Sequence, residues 1–218
     1  MTLHPSSLDR RPRTGRVLSH IAVLALLAAA LLATAGVARS QPFQGGLAPQ
    51  PAAGRGRALS FDVAMDGSSF HFEGPTNENG FPADGTPFIV RGYLYPAGTF
   101  AAHGSSSGTE PDGSPEFPDL VLGTWYCRGW HLQDGDAVSG PVVATTQIFD
   151  LDPGTPGRHT IVTDGIELAD FDVPFQRAVV GGSGRYRWAR GHSTQVYFDF
   201  NASNGFNSSV EIPTPHVP

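Results

Sequence analysis

The sequence contains no lysine and a single cysteine, and each scarcity excludes a class of protein. All 14 basic residues are arginines, against 20 acidic residues. Residues 1–40 hold five of the arginines and one of the acids, so the remainder carries nine against 19, a net charge of −10. We predict no nucleic-acid partner, since such binding draws on clustered positive charge. Cys127 alone cannot form an intramolecular disulfide, so core packing must hold the fold.

Apolar stripes at helical spacing are also lacking after residue 58. The chain has 27 Gly and 19 Pro between short apolar runs, a composition typical of strands joined by tight turns. Closing such a sheet protects its edges, so we predict an all-β fold, an eight-stranded antiparallel β-barrel with little helix. Alternating patterns predict strands at 59–65, 69–73, 87–95, 121–131, 142–150, 159–163, 166–170, 175–180, 189–200 and 206–212.

The N-terminal region has the features of an export signal. Four arginines between residues 10 and 16 precede an apolar run from Ile21 to Ala35, and small residues follow at Ala38 and Ser40. We predict a signal peptide over residues 1–40 and a secreted protein, extracellular or periplasmic. A permanent membrane anchor is the alternative, because the run approaches the length that spans a bilayer.

Composition divides the rest of the chain. Residues 41–58 are rich in Pro, Gly and Ala and predict a flexible linker. Residues 59–212 predict the barrel domain and 213–218 a tail. The long polar loop from Pro96 to Pro118 is expected at a barrel rim, where it could act as a lid.

One segment carries a family resemblance. Residues 178–191 read AVVGGSGRYRWARG and run into the next predicted strand. This resembles the hairpin of dirigent proteins and of allene oxide cyclase barrels, in which an apolar strand meets Gly-Gly-Thr/Ser-Gly, an aromatic residue and Ala-Arg-Gly. The similarity is clearest over residues 142–212. It implies the same barrel with a ligand cavity, and it implies a possible homotrimer, since the family is often trimeric.

The glycines of this segment are expected to be structural. Gly181, Gly182 and Gly184 would permit positive φ where the chain reverses, and Gly191 would relieve a bend or bulge. Shaping the hairpin is the favoured role for all four, and direct ligand contact is the alternative.

Arg190 is the first candidate for ligand binding. It shares parity with His192 and with the apolar residues of the following strand, which places both inside the barrel. A buried arginine needs a carboxylate or an anionic or phenolic ligand. The resemblance implies the same role, because the corresponding arginine of lignan-forming dirigents belongs to the ligand cavity. A bulge at Gly191 would instead leave Arg190 on the surface.

A second candidate wall of the cavity lies on the strand 121–131. Trp125 and Cys127 share one face with His131, and we expect this face inside because cysteine is commonly buried. Trp125 and Cys127 would then contact the ligand, or else simply pack the core. A Cys127–His131 dyad is excluded, since four residues along a strand span about 13 Å.

Two carboxylates are candidates by resemblance alone. Allene oxide cyclases carry a carboxylate on the first strand, and Asp62 and Glu73 lie in that region of this chain. The histidines show no close ligand spacing, so we predict neither a metal nor a cofactor.

These features lead to three hypotheses. The first is an exported dirigent-like barrel that binds a small apolar or aromatic ligand in its lumen. The second is a cyclase or isomerase of allene oxide cyclase type, which folds a reactive substrate by shape and fixed dipoles. The third is a structural envelope protein with a filled barrel.

Overall fold

The computed structural model describes residues 58–104 and 107–213. The predicted signal peptide, residues 41–57 of the predicted linker and residues 214–218 of the tail lie outside this part. Nine strands are present in it: β1 (Leu59–Met65), β2 (His71–Phe72), β3 (Pro87–Pro96), β4 (Gly123–His131), β5 (Pro141–Asp150), β6 (Thr160–Leu168), β7 (Phe175–Gly182), β8 (Gly191–Phe200) and β9 (Phe206–Ile212).

Eight of the strands close into an antiparallel barrel. Each pairs with its neighbour in the order β1, β9, β8, β7, β6, β5, β4, β3, and β3 pairs back with β1. The two-residue strand β2 adds to the edge of β3. The helix α1 (Thr99–His103) and three short 3₁₀ segments complete the described elements. The predicted all-β, eight-stranded barrel with little helix is therefore confirmed.

Two predicted strands are one strand in the structure. The sequence predicted a break between residues 163 and 166, but Asp164 and Gly165 both pair with β5, opposite Thr146 and Thr145. The ladder to β5 thus continues through the Asp-Gly pair, because pairing on the neighbouring strand outweighs the local turn signal.

The two ends of the barrel carry different connections. The connections 151–159 and 183–190 lie at one end, which we call the hairpin end after the β7–β8 hairpin, and the long connection 97–122 starts and finishes there. The segments 66–86, 132–140, 169–174 and 201–205 lie at the other, which we call the His131 end because β4 finishes there.

The apolar core occupies mainly the hairpin end and the β1–β3–β4 side of the lumen. Phe61 stacks on Phe149 with ring centroids 6.3 Å apart, and Leu94, Ile161 and Ile212 are buried around them. A second apolar cluster lies on the outer wall, where Phe100 of α1 packs against Ala64, Tyr95 and Phe198.

The described part of the long loop covers this outer wall. The Tyr95 hydroxyl donates to the Gly108 carbonyl at 2.7 Å, and the Tyr93 hydroxyl donates to that of Gly113 at 2.9 Å. Thr109 lies at the His131 end, where its hydroxyl donates a hydrogen bond to the Ser203 hydroxyl at 3.1 Å. Tyrosines of β3 thus anchor this part of the loop along the side of the barrel, and it reaches the rim at the His131 end.

Candidate functional site

A buried polar network fills the lumen on the side of β5 to β8. Alternate residues of a strand face one side of a sheet, so the buried alternate positions of these strands point inward. Those positions are polar in the half of the lumen nearer the His131 end: Thr145, Gln147, Thr163, Glu167, Arg177, Ser193, Gln195 and Tyr197.

Glu167 is the centre of this network. Its Oε1 accepts hydrogen bonds from Gln147 Nε2 at 2.8 Å, from Arg177 Nη1 at 2.9 Å and from the Thr145 hydroxyl. Its Oε2 accepts a hydrogen bond from the Tyr197 hydroxyl. The Cys127 thiol lies 3.8 Å from Oε1. Five side chains from four strands thus converge on one carboxylate.

Arg177 supplies the opposite charge. The side chains of Arg177 and Glu167 are 0% and 4% exposed. Besides the carboxylate, the guanidinium donates to the Thr145 carbonyl at 2.8 Å, to Thr163 Oγ1 at 3.2 Å and to the Gly165 carbonyl at 3.3 Å. A buried ion pair persists only when its remaining polar atoms are also paired, and these bonds meet that condition.

Gln147 links the carboxylate to the rest of the lumen. Trp125 Nε1 donates to Gln147 Oε1 at 3.2 Å, and Gln147 Nε2 donates also to Gln195 Oε1 at 3.0 Å. Gln195 Nε2 in turn donates to Ser208 Oγ at 3.2 Å. These hydrogen bonds fix the orientations of the Trp125 and Gln195 side chains in the lumen.

Burial sets the protonation of two groups beside Glu167. Desolvation, and next the Glu167 charge, raise the pKa of Tyr197 well above its usual value. The same two causes, in the same order, raise the pKa of the Cys127 thiol. Both groups are therefore neutral at neutral pH: Tyr197 acts as a hydrogen-bond donor and Cys127 is a poor nucleophile.

Aromatic rings connect Tyr197 to the surface at the His131 end. The Tyr197 ring lies 5.4 Å from that of Phe175 and 5.2 Å from that of Phe206. Phe206 lies 4.8 Å from Phe200, which is 54% exposed, and Phe171 packs against both. A continuous aromatic path thus leads from the rim to the hydroxyl that contacts Glu167.

The predicted orientation of Arg190 and His192 is wrong. The buried positions of β8 are Ser193, Gln195 and Tyr197, so the polar face of the strand points inward. Arg190 and His192 are exposed, and Arg190 Nη1 donates to the neighbouring Ala189 carbonyl at 2.6 Å. The polarity of β8 was misleading because this part of the lumen is itself polar.

The two carboxylates chosen by resemblance also lie outside the lumen. Asp62 is buried under α1, where its Oδ2 accepts a hydrogen bond from the Phe100 main-chain N–H at 3.2 Å. Glu73 is exposed and lies 3.6 Å from His71. Neither contacts the Glu167 network in the described residues, so the structure does not bring these two candidates together with that network.

Trp125 and Cys127 are placed inside the barrel, as the choice of face on β4 predicted. Their contact with a ligand remains a prediction. Sequence analysis missed Glu167 and Arg177. The alternation of Arg177 with the apolar residues Phe175 and Val179 indicated that Arg177 faces inward. Glu167 gave no such signal, because its neighbours on the same face of the strand are Gly165 and Thr163.

The turn glycines lie at the hairpin end, away from the network. Gly184 has φ of 54°, as predicted, and Gly191, for which a bend or bulge was predicted, has φ of 114°. Gly181 and Gly182 do not have positive φ. Gly182 is needed instead for space, because a Cβ there would lie 2.4 Å from the Thr160 carbonyl.

Two features are absent from residues 58–104 and 107–213. These residues contain no group of three His, Cys, Asp or Glu side chains able to hold a metal ion. They also contain no helix with the length and apolar character required to cross a bilayer.

Comparison with known proteins yields structural neighbours alone. No family model and no curated protein matches the chain. Similar solved structures include a pyocyanin demethylase, 14% identical over 71% of this chain and 97% of its own, with a TM-score of 0.43. The pterocarpan synthase dirigent protein GePTS1 is 13% identical over 79% of this chain and 96% of its own, with a TM-score of 0.48. The pterocarpan synthase dirigent protein PsPTS1 is 15% identical over 73% of this chain and 96% of its own, also with a TM-score of 0.48. Dirigent proteins are thus among the solved structures to which this chain is similar.

Proposed function

We propose that this protein is an exported barrel that binds a small apolar or aromatic molecule in the His131-end half of its lumen. The observation that carries the proposal is the aromatic path from Phe200 to Tyr197, which ends on the buried Glu167 carboxylate. Sites for small molecules combine apolar and aromatic walls with a few polar groups that fix orientation, and this arrangement has both.

The carboxylate defines what the polar end of the ligand must be. Oε1 accepts three hydrogen bonds from nitrogen and oxygen donors, whereas Oε2 accepts one in the described residues, from Tyr197, and can accept another. Arg177 compensates the charge of Glu167, so no cation is required of the ligand. The best partner is a neutral ligand with an O–H or N–H donor directed at Oε2.

An isomerase or cyclase is the second candidate, and a specific observation favours it. A carboxylate and an arginine face each other inside the barrel, with a neutral phenol bound to the carboxylate. Glu167 would take a proton from one position of the bound molecule and return it at another; while Glu167 is protonated, the Tyr197 hydroxyl would turn to donate to the charge that develops on the molecule. Clustered ionisable groups of this kind are common at catalytic sites.

Native mass spectrometry tests the binding proposal, using full-length protein purified from its own host. A bound small molecule is expected in the wild type, and Tyr197→Phe should lower its occupancy because the Tyr197 hydroxyl holds Glu167 Oε2 in the orientation that the ligand meets. Arg190→Gln alters an exposed arginine outside the site and is the matched control, expected to keep the ligand.

Repeated recovery of empty protein, without a thermal shift from any of a panel of aromatic alcohols, would favour the filled, structural barrel instead. Turnover of a bound molecule that Glu167→Gln abolishes would favour the isomerase.

A further inference from the structure

His131 is a buried polar group that the network around Glu167 does not use. It is the last residue of β4, points into the lumen and is 6% exposed. Neither of its ring nitrogens has a hydrogen-bond partner in the described residues. The Ser193 hydroxyl of the network also has no partner in the described residues, but the titratable side chains that contact Glu167 all have one, and His131 differs from them.

The surroundings of His131 are aromatic. Its ring lies 5.1 Å from that of Phe88 and 6.4 Å from that of Phe70, and both phenylalanines are only half-buried. Leaving a buried polar group unpaired costs about 1–3 kcal/mol. An apolar residue at this position would avoid that cost, so the imidazole points to a partner that is a separate molecule.

Burial also fixes the charge of this imidazole. Desolvation lowers the pKa of His131, and the main chain of Gln133 and the Asp134 carboxylate oppose the shift to a smaller extent. At neutral pH the ring is therefore neutral and offers one donor and one acceptor. A hydroxyl or carbonyl group of a ligand can pair with it.

His131 and Glu167 lie in one row across the sheet. His131 pairs with Val143, and Val143 pairs with Glu167, so two strand spacings of about 4.8 Å separate their main chains. Both side chains face the lumen, from different points on its wall. A single ligand of two or three fused rings can therefore reach both.

We propose that the ligand is a planar aromatic molecule with oxygen substituents at both ends. One hydroxyl donates to Glu167 Oε2 and the oxygen at the far end pairs with His131, while Phe88 and Phe70 flank the ring beside the imidazole. This inference rests on the proposed binding function and adds to it a ligand class and a second polar anchor.

The test compares two probes that differ in one hydroxyl, 2-naphthol and 2,6-dihydroxynaphthalene, by titration calorimetry. Wild-type protein should bind the diol about tenfold more tightly, the effect of one additional hydrogen bond of ~1.4 kcal/mol. His131→Phe should bring the affinity for the diol down to that for 2-naphthol and leave 2-naphthol unchanged. His131→Gln, which keeps a donor and an acceptor, should retain part of the preference, and it serves also if His131→Phe does not fold. His192→Phe changes an exposed histidine and should behave as the wild type.

The outcomes separate this inference from the proposed function. Equal wild-type affinity for the two probes, or an undiminished preference for the diol in His131→Phe, would overturn the role of His131 and leave lumen binding intact. Failure of wild-type protein to bind either probe, together with recovery of empty protein from the host, would overturn both.

Discussion

At the scale of single residues, the chemistry of the barrel depends on one buried carboxylate. The Glu167 carboxylate accepts hydrogen bonds from four side chains: Arg177, Gln147, Thr145 and Tyr197. Taking an ion pair out of water is costly, but removing one partner costs more because the other charge is left uncompensated. Glu167 and Arg177 should therefore act as one energetic unit.

Glu167→Gln and Arg177→Met are each expected to lower the free energy of unfolding by about 3–5 kcal/mol. The double variant should lose at least 1 kcal/mol less than the sum of the two, since groups in direct contact are not additive. Urea unfolding measures all three values. Asp164→Asn changes an exposed carboxylate of the same strand and should stay within about 0.5 kcal/mol of the wild type. Additive losses would contradict the coupling.

At the scale of elements, local irregularities decide which residues reach the lumen. The β8–β9 register shifts between Tyr197 and Asp199, so Phe198 is an extra residue on the bulged strand. Phe198 packs on α1 outside the barrel, while Phe200 pairs with Phe206 and joins the aromatic path. A strict alternation along the sequence places Phe198 and Phe200 on the same face, which is wrong because of this bulge.

The β7–β8 hairpin provides a test of its glycines at the same scale. In Gly182→Ala, the new Cβ would lie 2.4 Å from the Thr160 carbonyl and 2.5 Å from that of Tyr186. Main-chain atoms cannot move away freely, so we expect a loss of about 1–3 kcal/mol in the free energy of unfolding. Gly181→Ala is the matched control, because its Cβ would meet only Arg190 Nη1 at 3.5 Å. Equal losses in chemical denaturation would show that the hairpin can relax at both positions.

At the scale of the whole molecule, buried groups link global stability to pH. Burial lowers the pKa of His131, so the unfolded chain takes up a proton at this residue more readily than the folded one. Above a pH of about 6.5, the ordinary pKa of histidine, the imidazole is neutral in both states and does not lower the stability of the fold. As the pH falls below this value, protonation of the unfolded chain lowers the free energy of unfolding.

The free energy of unfolding of the ligand-free protein should therefore fall between pH 7.5 and pH 5.5. His131→Phe should reduce that fall, since it removes a group that gains a proton on unfolding. Urea unfolding at the two pH values measures the difference, and His192→Phe is the control for the loss of an exposed histidine. A fall of the same size in wild type and His131→Phe would show that other groups dominate the acid response.

The sequence by itself determined the class of fold. Alternating strands, many turn residues and the absence of helical stripes are local signals, and they led to the closed eight-stranded barrel that is observed. The face of β4 that carries Trp125 and Cys127 was also predictable, because a buried cysteine is a local preference. Turn chemistry predicted the positive φ of Gly184 correctly, but wrongly predicted the same for Gly181 and Gly182.

Only the tertiary structure decided which polar residues form the site. Glu167 and Arg177 are ten positions apart on neighbouring strands, and Tyr197 and Cys127 are 70 apart, so their convergence depends on register and closure. Polarity along one strand could not tell the lumen from the solvent, because a hydrogen-bonded interior is as polar as a surface. For that reason the sequence pattern placed Arg190 inside the barrel, whereas Arg177 is the arginine that the closed barrel buries.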